Sequence, residues 1–177
     1  LWVSNETAYY LMQDGLLPPY TSDPDKNSHY EMIDAQLTTE IFGLFAPTRP
    51  DIALRMSHMP IRTTANGNAK CAAEFYVVMY SLASYVENEL SMKEKVFWLA
   101  KQARKRLPDG TPVAGMYDYI KASYDANPDK NDWESTRDSV YERYRVGGGD
   151  GEGYNDYFDS GINVAAGQVS FFYGQGD

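Results

Sequence analysis

Cysteine, histidine, basic charge and long apolar runs are all scarce in this sequence, and each scarcity removes a class of function. Cys71 is the only cysteine, so an internal disulfide framework is excluded. Followed by Ala72 and Ala73, it reads as a small core residue rather than a nucleophile. The only histidines, His29 and His58, make no metal-ligand spacing with it, and His58 beside Pro60 reads as a surface or capping residue. Sixteen Lys and Arg stand against 25 Asp and Glu, giving a net charge of −9 and a pI of about 4.7. That balance argues against nucleic-acid partners, which need a clustered basic surface. The densest basic run, Lys101 to Arg106, falls at the end of a predicted helix, where cations complement the last carbonyls. No apolar run approaches the roughly 18 residues of a membrane span, so no membrane partner is expected. No signal-peptide pattern opens the chain. Asn5-Glu6-Thr7 is a single glycosylation sequon, which leaves secretion open and the compartment unassigned.

What is present is helical periodicity. With 43% hydrophobic residues, the 177-residue chain suits a single helical domain with a sizeable core. Its 15 tyrosines suggest a core with polar handles or an aromatic cleft. Ser28-His29-Tyr30-Glu31 fits a capping box. Tyr30, Ile33, Leu37, Ile41, Leu44 and Phe45 then recur at helical steps up to Ala46, before Pro47. Pro50 and Asp51 suit the first turn of a short helix that Pro60 should stop near Met59. A longer helix is expected from about Asn68 to Leu90, with Ala69, Ala72, Ala73, Tyr76, Met79, Tyr80, Ala83 and Val86 as its stripe. Ser91 to Glu94 is a second capping box, ahead of Val96, Leu99, Ala100, Ala103 and Leu107. Val113, Met116, Tyr117, Ile120 and Tyr124 define the next helix. Asp132 caps another, with Trp133 as a core anchor beside Val140 and Tyr144. Gly147 to Gly153 reads as a flexible glycine-rich loop. Ile162 to Tyr173 is a buried apolar segment compatible with strand or helix, its small residues and length favouring helix; its polar Asn163 points either into a cleft or at backbone groups, and Gln36 on the central helix is similar. No alternation of strands and helices appears, so the expected fold class is all-α.

The turn Asn66-Gly67-Asn68 opens directly into the alanine-rich helix and supports two readings. Asn and Gly are good helix-start residues. A polar, glycine-centred turn at a helix N-terminus can also present N–H groups to an anion or sugar oxygen.

Several segments in order carry a family resemblance. Tyr30-Glu-Met-Ile-Asp-Ala-Gln-Leu-Thr-Thr-Glu-Ile-Phe-Gly43 resembles the central helix of ADP-ribosylglycohydrolase-family proteins. A Pro-bounded loop, Ala53-Leu-Arg55, a polar Thr-x-x-Gly loop and the alanine-rich helix follow as in that family. Gly161-Ile-Asn-Val-Ala-Ala-Gly167 and Phe172-Tyr-Gly-Gln-Gly-Asp177 are similar to its late core helix and exit loop. The resemblance implies an all-α fold, magnesium ions and hydrolysis of ADP-ribosyl groups. It also implies acidic metal motifs, a Thr-Asp-Asp type on the N-terminal side and an Asp-x-Asp type on the C-terminal side, and this chain has neither. Asp34, Glu40, Asp51 and Glu74 are scattered along helices, and Asp150, Asp156 and Asp159 lie in or near the glycine-rich loop. They read as solvated or capping carboxylates. A hard cation needs several oxygen ligands held together.

The family's Thr-His-Asp-Gly-Glu-like run aligns with Thr64-Ala65-Asn66-Gly67-Asn68. Alanine transfers no proton, and asparagine does not titrate as a carboxylate does. The expectation is therefore a chain without catalytic residues or metal ligands of its own, in which Thr64, Asn66, Gly67, Asn68 and Asn163 contact ADP-ribose or a related nucleotide or sugar. The complete parent would be a metal-dependent hydrolase. The alternative is a non-catalytic carbohydrate- or nucleotide-binding or structural assembly protein of the same fold. Apolar segments at both ends, Leu1-Trp-Val3 and Ile162 to Tyr173, suggest a piece of a larger folding unit, a second chain covering these surfaces, or self-association.

Overall fold

The computed structural model describes residues 1–144 and 159–175; among them are helices and turns but no strand, and the fold is all-α. The predicted glycine-rich loop at 147–153, with Asp150 and Asp156, lies outside the described residues. The chain divides into two compact units, 1–85 and 86–177.

The first unit contains α1 (Val3–Gln13), a 3₁₀ turn (Tyr20–Ser22), α2 (Asp34–Thr39), α3 (Ile41–Phe45), α4 (Pro50–Thr64) and α5 (Gly67–Ala83). α5 is its axis, with α2, α3 and α4 all packed against it. Small side chains make this possible: Ala35, Ile61, Ala65, Ala69 and Ala73 form one buried cluster, and Ala46, Ala53 and Val77 another. At Gly43 the backbones of α3 and α5 come so close that a Cβ would lie 2.5 Å from the Val77 carbonyl oxygen and 2.8 Å from the Ser81 nitrogen. Thr48 N–H donates to Ser81 O at 2.7 Å, and Ser81 Oγ donates to Ala46 O at 2.6 Å, which pins the following turn to α5.

Four expectations for this unit need correction. The central helix does not start at Ser28: residues 29–33 are turns, α2 begins at Asp34, and a break at Glu40 separates it from α3. Glu31 caps a different helix, described below. α4 runs through Pro60 to Thr64 rather than stopping at Met59. An internal proline costs about 3 kcal/mol, but continuing the helix buries Ile61 completely, a gain of about 1.5–3 kcal/mol. It also lets Arg62 hold the 3₁₀ turn through Ser22 Oγ at 3.0 Å and Asp23 Oδ1 at 3.3 Å. The third correction concerns the periodic stripe of the central helix. Leu37, Ile41, Leu44 and Phe45 are 59, 45, 54 and 61% exposed, while Asp34, Ala35, Gln36, Thr39 and Gly43 face inward. α5 also ends at Ala83, with turns from Ser84 to Leu90.

The second unit contains α6 (Met92–Arg104), α7 (Pro112–Ala126), α8 (Trp133–Tyr144) and α9 (Ser160–Tyr173), with α9 packed on the other three. The Ser91–Glu94 capping box forms in both directions, and the bonds from Ser91 hold the Glu94 carboxyl below its ordinary range. The predicted stripe of α7 is buried at every position. Rings fill this core: Phe172 meets Phe97 at 5.0 Å, Tyr117 at 5.6 Å and Tyr124 at 5.7 Å between centroids. Burial raises the Tyr117 phenol to about 12. Asp132 caps α8 through the Ser135 N–H at 3.3 Å. Trp133, expected in the core, is 41% exposed.

Candidate functional site

Thr64, Asn66, Gly67 and Asn68 form the turn from α4 into α5. Thr64 ends α4 with its side chain buried, and Ala65 is fully buried. Asn66 is the α5 N-cap in extended conformation, and Gly67 has φ +51°, a region that favours glycine. The first N–H groups of a helix have no intrahelical partner, and here each finds one within the chain. Gly67 N–H donates to Asn66 Oδ1 at 2.9 Å. Asn68 N–H and Ala69 N–H donate to the two carboxylate oxygens of Glu31 at 3.1 and 3.2 Å, and Lys70 N–H to Asn66 O at 3.2 Å. Asn66 N–H in turn donates to Tyr30 O at 3.1 Å.

The carboxylate that an external anion would mimic is therefore already in place, supplied by Glu31. Gly67 is matched to it, since a Cβ there would come 2.2 Å from Glu31 Oε1. The expectation that this helix start favours a phosphate is corrected on that ground: its amides are spent. What the turn still offers a ligand are the partly exposed side chains of Asn66 and Asn68. Sequence reasoning missed the arrangement because it assigned Glu31 to a capping box with Ser28, the nearest pattern in sequence, whereas the bond spans 37 residues.

Asn163 belongs to the second unit, where Nδ2 donates to Asp159 O at 3.0 Å, within the first turn of its own helix. Asn5, the sequon residue, lies on α1 with Nδ2 donating to Asp34 Oδ1 at 2.8 Å. The other Asp34 oxygen accepts from Ser4 Oγ. Attachment of a glycan to Asn5 would replace one of the two N–H donors on Nδ2, the atom that bonds Asp34.

For magnesium the donor chemistry does not fit. The oxygens of Glu31 and Asp34 are committed to N–H and O–H donors, whereas the cation needs several bare oxygens converging on one point. Among the described residues no group of three or more His, Cys, Asp or Glu side chains is placed to hold a metal ion.

A titratable cluster that sequence reading did not single out lies at the α2–α3 break. Burial raises the Glu40 carboxyl, partly opposed by a hydrogen bond from Tyr80. The charge of Glu40 in turn raises the Tyr80 phenol, and burial raises that of Tyr76 still further. The available signal was Tyr76 and Tyr80 at helical spacing, with no indication of which acid would meet them.

Comparison with protein-family models, curated proteins and solved structures finds no match for this chain.

Proposed function

We propose that this chain is a helical portion of an ADP-ribosylglycohydrolase-like protein whose complete form hydrolyses ADP-ribosyl groups with magnesium. On this reading the metal ligands and the proton-transfer groups stand outside these 177 residues, and the chain serves as scaffold and supplies polar side chains to the ligand. The observation that carries it is that the later resembling segments meet element boundaries, although the first, Tyr30 to Gly43, is divided between turns, α2 and α3. A Pro-bounded turn leads into α4 at Pro50, the Thr64–Asn68 turn leads into the alanine-rich α5, and α9 ends at Tyr173 with Gly174 as its C-cap. Incubation of the chain with magnesium and an ADP-ribosylated peptide should release no ADP-ribose; turnover would refute the scaffold role. Calorimetry with ADP-ribose tests the turn: Asn66→Leu should weaken binding, and unchanged affinity would leave the turn with capping alone.

A second reading, a non-catalytic assembly protein, is favoured by the outward stripe Leu37, Ile41, Leu44 and Phe45. Such a face commonly marks an interaction surface. Sedimentation velocity decides it: association lost on Leu44→Ser supports assembly, and a monomer at all concentrations removes self-association.

A further inference from the structure

The second unit holds a cleft of about 530 Å³ beside the start of α8 and the end of α9, walled by Lys130, Asn131, Trp133, Val169, Ser170 and Tyr173. Its size lies in the range of small-molecule sites, and its walls are fixed in advance. The Tyr173 hydroxyl shares a 2.6 Å hydrogen bond with Thr136 Oγ1, and its ring stands edge-on to Tyr124 at 5.2 Å. Lys130 is anchored by the carbonyl oxygens of Tyr124 and Asn127 and lies 4.3 Å over the Tyr124 ring. Trp133 is the exposed wall, with the Arg137 guanidinium 4.9 Å from its ring.

Charge selects among ligands. Lys130 already donates to two backbone carbonyls, and Arg137 pairs with Asp138 at 2.7 Å. A phosphate or carboxylate would have to compete with these partners and enter a chain of net charge −9, which favours a ligand without charge. A purely apolar ligand would bury the Asn131 amide and the Ser170 hydroxyl without partners, a costly arrangement. The Ser170 hydroxyl donates to Ala166 O at 3.1 Å, so toward the cleft it accepts. The Asn131 amide both donates and accepts, and the last carbonyls of α9 add acceptors. The wall thus asks for a neutral molecule with one apolar face and a rim of hydroxyls.

We propose that this cleft binds a neutral sugar ring, the C–H face of a pyranose lying on Trp133 and its hydroxyls bonding to Asn131 and Ser170. The proposal stands on the cleft itself and is independent of the ADP-ribosyl reading.

The test follows the Trp133 indole N–H and the Asn131 backbone amide by NMR in the ¹⁵N-labelled chain. The probes are methyl β-glucopyranoside, methyl β-galactopyranoside and N-acetylglucosamine, with AMP and hexanoate as the nucleotide and apolar-anion arms. At least one sugar should give a saturable shift with a millimolar Kd. Trp133→Ala should weaken binding, read at Asn131, by about tenfold or more, equivalent to 1.4 kcal/mol. Asn131→Ala should weaken it less while keeping the indole shift. Trp133 is exposed enough for its alanine variant to fold, which an unchanged thermal melt verifies. Silence with all three sugars overturns the proposal. So does a response to AMP or hexanoate alone, or sugar binding untouched by Trp133→Ala.

Discussion

The two units are held together in opposite ways. In the first, α2, α3 and α4 meet α5 largely through alanine and glycine, beside a few large buried residues such as Phe75 and Ile61, and Leu37, Ile41, Leu44 and Phe45 point away from the protein. In the second, α6, α7 and α9 meet through a continuous set of rings centred on Phe172. Close backbone approach gains dispersion from many small contacts but hides little apolar area per residue, whereas a ring cluster buries a large area at each position. The first kind of core is vulnerable to added atoms and the second to removed ones.

The largest expected effect comes from truncation in the ring core. Phe172→Ala should cost about 3–5 kcal/mol, measured by urea unfolding; a loss below 1 kcal/mol would mean that the rings do not carry the second unit. Gly43→Val probes the opposite vulnerability. Its side chain must displace the α5 backbone, for an expected loss of about 1–3 kcal/mol or more, and a neutral result would show that α3 does not cross α5 this closely.

Glu40 gives a pH-dependent contrast. Burial raises its folded-state pKa above the ordinary 4.5, so the folded chain holds this proton more tightly than the unfolded one. The stabilisation is fully present below pH 4.5 and is lost as pH rises through the raised folded value. Relative to Glu40→Gln, which cannot titrate, the parent should therefore lose stability with rising pH across that window and run parallel to it above. A difference independent of pH would place Glu40 in water. The smallest effect is expected at the outward stripe: Ile41→Ser should change stability by no more than about 0.5 kcal/mol. A loss of several times that would show Ile41 to be buried, in this chain or against another.

Legibility in the sequence followed the range of the deciding interaction. The α7 stripe, the Ser91–Glu94 box, the Asp132 cap and the helical nature of α9 depend on neighbours within a turn or two, and all appear in the structure. The candidate turn was legible as a cap, with Asn66 in that role. Its occupant was not, because Glu31 reaches α5 from a distant point in the chain. The exposed position of Trp133 was equally hidden, since a lone tryptophan early in a helix carries no mark of which side its neighbours take.

By itself the sequence determined that the chain is helical, acidic and without a disulfide. Periodicity, capping and composition act locally, and they have nothing to compete with where strands are not encoded. Tertiary structure alone decided which face of each helix turns inward. On α2 and α3 Ala35 and Gly43 won the interior over Leu37 and Ile41, because α5 approaches too closely for large side chains. On α9 packing carried the amide of Gln168 fully inside, where neither of its polar atoms finds a partner among the described residues. Periodicity says which residues share a face; only the distance to the neighbouring helix says what that face can bury.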